Sequence, residues 1–199
     1  MRVELTFGGS QTLLANIALS GLGDIFIPAD DSYIELAREK NLVTTVLPIA
    51  EMTAVLLMPK DQKMTSLSDL LKSDLTIAQA NPDAAAIGKL VRKKLPKATW
   101  EALRTRTAVF TATVTEAANA VKIGSVQAAF IWDAMAQQYP ALKTVHLPEL
   151  DPVKARVALA TLKNSRQPET ALRFAQFITA PDTGLQQFER NGFKIVGSR

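Results

Sequence analysis

Two short segments near the beginning of the chain place small residues at the start of predicted helices. In FGGSQTLLANI, Ser10 follows Gly8 and Gly9, and in GDIFIPADDSYIELA, Ala29 follows a short apolar run. Backbone N–H groups at a helix start have no partner within the helix, and the helix dipole makes that end positive. Two such helix starts that converge can bind a small anion without Lys or Arg.

Ser10 has two interpretations at this position. Its hydroxyl can cap its own helix, which is the commonest use of Ser before a helix. It can also donate a hydrogen bond to a bound oxyanion, and Gly8 and Gly9 would let such a ligand approach the backbone closely. The residue types alone favour the cap.

Asp30 and Asp31 follow Ala29 directly. Paired carboxylates can bind a metal or perform acid–base chemistry, but next to a helix start they more often cap the helix and complement its dipole. We favour the capping interpretation. Because carboxylates would repel a bound anion, we expect both side chains to face away from it.

Composition excludes several classes of site. The chain of 199 residues has no cysteine, which excludes disulfides, Cys-ligated zinc and a thiol nucleophile. His146 is the only histidine, so neither a Ser-His-Asp triad nor a His-rich metal site is expected. No run of 18 apolar residues is present.

The chain is mildly basic, with a net charge of +4. Seven basic residues fall in one segment and could contact nucleic acid or anionic lipid: Lys89, Arg92, Lys93, Lys94, Lys97, Arg104 and Arg106. Leu90, Val91 and Leu95 are interleaved with them at helical spacing. We therefore interpret the segment as the solvated face of an amphipathic helix, and expect no nucleic-acid partner.

Hydrophobic periodicity predicts alternating strands and helices. The predicted strands are Val3–Phe7, Asp24–Pro28, Val43–Leu47, Ala54–Met58, Thr76–Gln79, Ala108–Thr111, Ala128–Ile131, Thr144–His146, Arg156–Leu162 and Lys194–Val196. The predicted helices are Ser10–Ala18, Ser32–Lys40, Leu67–Lys72, Ala84–Leu95, Thr99–Thr105, Val114–Ile123, Asp133–Gln138, Pro168–Ile178 and Ala180–Asn191. Strands separated by helices favour parallel pairing.

Through GGSQT, GDIFIPADDSY and QFERNGFKIV, the chain resembles the molybdate-binding proteins that serve ABC importers in the bacterial periplasm. The resemblance covers almost the whole chain. It implies an α/β fold of the two-lobed, type II periplasmic-binding-protein kind, in which each lobe is a mainly parallel sheet flanked by helices. The implied lobes are residues 1–52 with 158–199 for lobe I, and residues 53–157 for lobe II.

The resemblance also implies which groups contact the anion, and it favours the ligand-binding interpretation of Ser10 over the cap. The implied donors are the Ser10 hydroxyl and the backbone N–H groups of Ala29, Ile87 and Val114. Ala86 is an alternative to Ile87, because it stands where the family usually has a second Pro. Gly9 would permit close approach of the ligand. Thr113 is predicted to cap the helix that begins at Val114, with Glu116 completing a capping box.

Trp132, in AAFIWDAM, stands where molybdate binders often have Tyr. It can contact the ligand with its single N–H donor, or it can be a core or hinge aromatic; the sequence leaves both open. The substitution also leaves the identity of the anion open.

The implied function is that of a non-enzymatic receptor for a tetrahedral oxyanion, molybdate or tungstate, which it delivers to an ABC importer permease and its ATPase. No cofactor or metal is expected, and contact with the membrane would be only through the permease. The implied location is the periplasm. A cytoplasmic anion-sensing or effector-sensing domain of the same fold is the alternative, whereas the single His and absent Cys make an enzyme a poor fit.

The strand predicted at Val3–Phe7 resembles the second strand of the family. A leader, a first strand and a first helix are therefore expected upstream of Met1, the alternative being a shorter protein that never had them. In the family, that first strand lies in the sheet between the second and third. Without it, Val3–Phe7 and Asp24–Pro28 would lack a neighbour.

Overall fold

A computed structural model describes residues 2–196 as a mixed α/β fold. The helices are α1 (Ser10–Ser20), α2 (Ser32–Glu39), α3 (Leu67–Lys72), α4 (Ala86–Lys94), α5 (Lys97–Arg106), α6 (Val114–Lys122), α7 (Pro168–Thr179) and α8 (Gly184–Arg190). The strands are β1 (Ile25–Phe26), β2 (Val43–Pro59), β3 (Ile77–Ala80), β4 (Thr107–Thr111), β5 (Ala128–Trp132), β6 (Leu142–Val145), β7 (Lys154–Leu162) and β8 (Lys194–Ile195). Short 3₁₀ helices cover Asp133–Gln138 and Pro148–Leu150.

The strands follow the order β1-β7-β2-β5-β3-β4, and β6 and β8 also pair with β2. Strand β3 runs parallel to β4 and β5. The pairs that β2 forms with β5, β6, β7 and β8 are antiparallel, as is the pair of β1 with β7. The prediction of mainly parallel sheets therefore holds around β3 and is wrong around β2 and β7. The physical reason is that parallel pairing is expected for strands joined by a crossover helix. Strands β2 and β7 instead run alongside each other in opposite directions.

Strand β2 is one 17-residue strand where the sequence predicted two. Pro48 lies inside it at a shift of register between Pro48 and Ala50, and a bulge is where a strand can accommodate a residue without an N–H group. From Val43 to Thr53, β2 pairs with β7, and from Ala54 onward with β5 and β6. This change of partners lies next to the predicted lobe boundary, and the boundary itself stays a prediction.

The predicted strand Val3–Phe7 is wrong in this structure. The segment has no regular secondary structure, and its apolar side chains are exposed: Val3 by 46%, Leu5 by 71% and Phe7 by 86%. Alternation of apolar and polar residues fits a strand, but a strand also needs a hydrogen-bonded neighbour. Within residues 2–196, β1 pairs with β7 along one edge only, and no strand pairs with its other edge.

The core is continuous and follows the central strands. All residues of β3 and β5 are buried, as expected for strands covered by helices on both faces. Six consecutive residues of β7, from Val157 to Leu162, are buried as well. The helices α6 and α7 pack against this sheet. The candidate site is built from the strand ends of this buried sheet.

Candidate anion-binding site

The start of α1 meets the turn after β1 through one hydrogen bond. The Ala29 N–H donates to Ser10 Oγ at 3.1 Å, and Ser10 is buried with 6% of its surface exposed. Ser10 is the first residue of the helix, and Gly9 occupies the cap position without a capping side chain among the described residues. Ser10 therefore does not cap its own helix. Its hydroxyl proton stays available for a further acceptor, since the oxygen accepts from Ala29.

Gly9 brings the start of α1 against two other turns. A Cβ atom on Gly9 would lie 2.5 Å from the carbonyl oxygen of Ala84 and 3.2 Å from that of Ala112. Ala84 lies two residues before α4, and Ala112 lies two residues before α6. Three helix starts are thus in contact at one point, and the absence of a side chain on Gly9 permits that approach.

The start of α4 is buried and has no capping side chain within the described residues. Ala85, Ala86 and Ile87 are 5%, 3% and 1% exposed. Gly88 presses this first turn against the end of β3, because a Cβ atom there would lie 2.1 Å from the Ala80 carbonyl oxygen. A buried helix start leaves N–H groups that need a partner, and an anion can supply one.

The start of α6 is capped as predicted. Thr113 Oγ1 accepts from the Glu116 N–H at 3.2 Å, and Glu116 Oε2 accepts from the Ala112 N–H at 3.0 Å. The carboxylate thus reaches one residue further back than in the standard capping box. Val114, the first residue of the helix, is half-buried. Its backbone N–H stays a predicted ligand contact.

The sheet explains why α4 and α6 begin side by side. Strands β3 and β4 are parallel neighbours, so their carboxyl ends lie at the same edge, where ligands of α/β proteins commonly bind. The Asn81 N–H donates to the Thr111 carbonyl at 2.8 Å and ties the two strand ends together. The helices that follow consequently start at this edge.

The two carboxylates after Ala29 behave differently. Asp30 is 4% exposed, and its Oδ1 accepts from the N–H of Ser32, the first residue of α2, at 3.2 Å. Asp31 forms no capping hydrogen bond within residues 2–196. Burial, and next the neighbouring Asp30 carboxylate, raise the pKa of Asp31. The expectation that both face away from a ligand stays a prediction.

Trp132 is the last residue of β5 and pairs with Ala54 of β2. It is 3% exposed and belongs to the hydrophobic core, as the core interpretation requires. Its predicted role as a ligand contact stays untested. In contrast with Ser10 and Ala29, its side chain forms no hydrogen bond to the converging turns within the described part of the chain.

Two basic residues, Lys89 and Arg106, were misjudged from sequence. Arg106 is half-buried, and its guanidinium donates to the Ser73 carbonyl oxygen. The segment from Lys89 to Arg106 forms two helices, α4 and α5, and not one solvated face. Lys89 is half-buried, and its Nζ donates to Ser32 Oγ at 2.9 Å. The helical spacing placed Lys89 on a polar face, but spacing does not tell which other helix packs against that face. Lys93 and Lys94 are exposed as predicted.

One hollow in the surface lies outside these turns. A hollow of about 210 Å³ beside the start of α7 is lined by Thr44, Thr45, Thr161, Leu162, Pro168, Glu169 and Leu172. It shares no residue with the converging helix starts, and Glu169 would oppose an anion there.

Clusters of metal ligands and membrane-spanning helices are both missing from residues 2–196. No group of three or more His, Cys, Asp or Glu side chains there could hold a metal ion, and none of the helices has the length and apolar character of a membrane span.

The converging turns can supply the Ser10 hydroxyl and backbone N–H groups, all neutral dipoles. Such a set suits a fully deprotonated oxyanion, because it contains many donors and few acceptors. Such donors at the strand ends of a mixed sheet suit the binding of a small solute. Residues 1–194 match the family of bacterial extracellular solute-binding proteins, and the chain belongs to that family.

Two curated relatives are similar over nearly the whole chain. A putative binding protein of Haemophilus influenzae is 24% identical over 96% of this chain and 79% of its own length. The molybdate-binding protein ModA of Mycobacterium bovis is 25% identical over 97% of this chain and 74% of its own length. The resemblance to molybdate-binding proteins that the sequence predicted is therefore confirmed.

Solved structures confirm the fold. The sulfate-binding protein SubI of Mycobacterium tuberculosis has a TM-score of 0.83 at 15% identity, covering 97% of this chain and 76% of its own. The periplasmic molybdate-binding protein of Azotobacter vinelandii has a TM-score of 0.78 at 17% identity, covering 97% of this chain and 87% of its own. The protein thus has the two-lobed α/β fold of periplasmic binding proteins, and its family is one of extracellular binding proteins.

Proposed function

We propose that this protein binds a tetrahedral oxyanion, molybdate or tungstate, and delivers it to an ABC importer. The observation that carries the proposal is the contact at Gly9. There the buried starts of α1 and α4, which lack capping side chains among the described residues, meet the start of α6. The anion would be held by the Ser10 hydroxyl and by the backbone N–H groups of Ala29, Ile87 or Ala86, and Val114.

The relatives support this ligand over others of the fold. A ModA protein matches almost the whole chain, and a molybdate-binding structure shares the fold. A sulfate-binding structure shares it too, so the fold alone does not select the anion. Selection would come from the size of the enclosed site and from the charge state of the ligand.

A permease and its ATPase would be the partners, in keeping with the extracellular family. The anion is the cargo in this proposal, and neither a metal nor a cofactor takes part. The family description favours an extracellular receptor over the alternative of a cytoplasmic sensing domain.

The proposal predicts that molybdate and tungstate raise the melting temperature of the purified protein. A ligand at 100 times its Kd stabilises the folded state by about 2.7 kcal/mol, and for a chain of this size each kcal/mol corresponds to roughly 2–4 °C. Phosphate should have a smaller effect, because it often keeps a proton that needs an acceptor. Differential scanning fluorimetry with molybdate, tungstate, sulfate and phosphate measures these shifts.

Sodium chloride at equal ionic strength is the control for general salt effects. A rise in melting temperature with sulfate alone would support the oxyanion site and identify sulfate, rather than molybdate or tungstate, as its ligand. No shift with any of the four anions would contradict the proposal.

A further inference from the structure

A half-buried lysine connects the two helices that follow candidate anion-binding turns. Lys89 of α4 donates from Nζ to Ser32 Oγ at 2.9 Å, and its ammonium lies 4.4 Å from the centroid of the Tyr33 ring. Ser32 and Tyr33 open α2, the helix that follows Ala29. Lys89 lies two residues after Ile87 on α4.

The contact continues to a buried carboxylate. Ser32 Oγ donates to Asp30 Oδ1, which also accepts from the Ser32 N–H at 3.2 Å. The hydrogen-bond directions are consistent, because the Ser32 oxygen accepts from Lys89 while its proton goes to Asp30. A cation and an anion are thus joined through one hydroxyl, and Asp30 is 4% exposed.

Tyr33 offers its ring face to the same ammonium. It is 1% exposed, and burial, followed by the charge of Asp30, raises the pKa of its hydroxyl to about 12. The ring is therefore neutral at physiological pH. A cation over a desolvated aromatic face is attracted more strongly than one at an exposed site.

These residues come from different predicted lobes, since Asp30, Ser32 and Tyr33 lie in residues 1–52 and Lys89 lies in residues 53–157. Moving the lobes apart would break the hydrogen bond and the ring contact together. Because α2 and α4 each follow a turn that faces the candidate site, the distance between these helices is coupled to the separation of the donors around the anion.

We propose that Lys89, Ser32, Asp30 and Tyr33 form a latch that closes when the lobes come together over the ligand. This proposal rests on the proposed function for the identity of the ligand. Lys89 acts as a positioning residue, because it holds the two anion-binding turns together without itself being assigned to the anion. A contact that holds the closed form together chiefly slows dissociation of the ligand and leaves association almost unchanged.

The test compares Lys89→Met, which keeps most of the apolar stem, with Lys93→Met, which changes an exposed lysine of the same helix. Dissociation and association rates of molybdate are measured by stopped flow. The latch predicts that Lys89→Met raises the dissociation rate by about tenfold, from the loss of a cation–π contact and a charge-assisted hydrogen bond. Lys93→Met should leave both rates unchanged.

Ser32→Ala removes the bridging hydroxyl and is the second variant. It should also raise the dissociation rate, and the double variant with Lys89→Met should be less than additive, because both changes break one connected unit. Circular dichroism confirms that each variant is folded. Two independent, fully additive effects would overturn the latch.

A distance measurement separates this proposal from the proposed function. The chain has no cysteine, so spin labels at Glu39→Cys and Lys94→Cys, both exposed, report the α2–α4 separation without background. Without ligand, Lys89→Met should lengthen or broaden the distance distribution, whereas Lys93→Met should not. If the wild-type protein binds no oxyanion, this readout still tests the latch. Unchanged distances and rates in Lys89→Met would overturn it.

Discussion

At the scale of single residues, Ser10 is the residue on which the candidate site most depends. Its oxygen accepts the Ala29 N–H and so fixes the turn after β1 against the start of α1. Its proton remains free to bind an acceptor. One hydroxyl can thus both order a second donor group and contact the anion.

Ser10→Ala is expected to weaken oxyanion binding by about tenfold or more, because a hydrogen bond to a charged group is worth roughly 1.5–3 kcal/mol. It should also cost about 1 kcal/mol of stability, since the Ala29 N–H loses its acceptor. Isothermal titration calorimetry with molybdate measures the first effect and urea denaturation the second.

Ser20→Ala is the matched control, because Ser20 ends the same helix, is exposed, and its hydroxyl donates only to Asn16 within the described residues. Asp31→Asn should change affinity far less than Ser10→Ala. An Asp31 variant that binds more weakly than the Ser10 variant would mean that the anion lies elsewhere.

The sequence pattern placed Ser10 and Ala29 at two helix starts, and the resemblance to a known family assigned both to one site. The contact of Gly9 with Ala84 and Ala112 could not be predicted from the sequence. Those residues lie more than 70 positions away along the chain, and local spacing carries no information on which turns meet. Lys89 was misjudged for the same reason.

At the scale of elements, the site depends on how closely three helix starts approach. Gly9 sits in an extended conformation with φ of −62° and ψ of 143°, which any residue can adopt. Its requirement for glycine therefore comes only from the neighbouring carbonyl oxygens of Ala84 and Ala112. A side chain at position 9 would therefore be unfavourable because of steric contact and not because of backbone strain.

Gly9→Ala should push the start of α1 away from α4 and α6, because backbone atoms 2.5 Å from the new Cβ cannot yield like a side chain. We expect affinity for molybdate to fall by at least about tenfold, as donor misplacement of roughly 1 Å is costly. Calorimetric titration measures the change.

Gly8→Ala is the control for this variant, since its Cβ would meet only the flexible Leu13 side chain, at 3.3 Å. It should bind almost as the wild type does. Equal affinities for both variants would contradict the close approach at Gly9.

Most elements could be predicted from periodicity, including α3, whose bounds agree with the structure, and α6, whose cap was identified in advance. The exceptions have physical causes. Val3–Phe7 has the pattern of a strand but no neighbour to pair with in residues 2–196. Strand β2 looked like two strands because Pro48 normally interrupts a ladder, whereas here a bulge accommodates it.

At the scale of the whole molecule, the α/β class and the two-lobed architecture could be predicted, through the motifs shared with a known family. The direction of strand pairing could not be predicted from helix–strand alternation. That rule describes strands joined by crossover helices, such as β3 and β4. It does not describe long strands such as β2 and β7, which bring the chain out and back.

Strand β2 also determines how the protein should unfold. Its first part pairs with β7 and its last part pairs with β5 and β6. If one half of the sheet unfolded and β2 with it, the other half would lose the strand with which it pairs. We expect one calorimetric transition, with equal van't Hoff and calorimetric enthalpies. Leu103→Ala, a fully buried site in α5, should cost about 2–5 kcal/mol and move the entire peak to lower temperature. Two resolved peaks, with only one displaced by this variant, would mean that the halves unfold independently despite the shared strand.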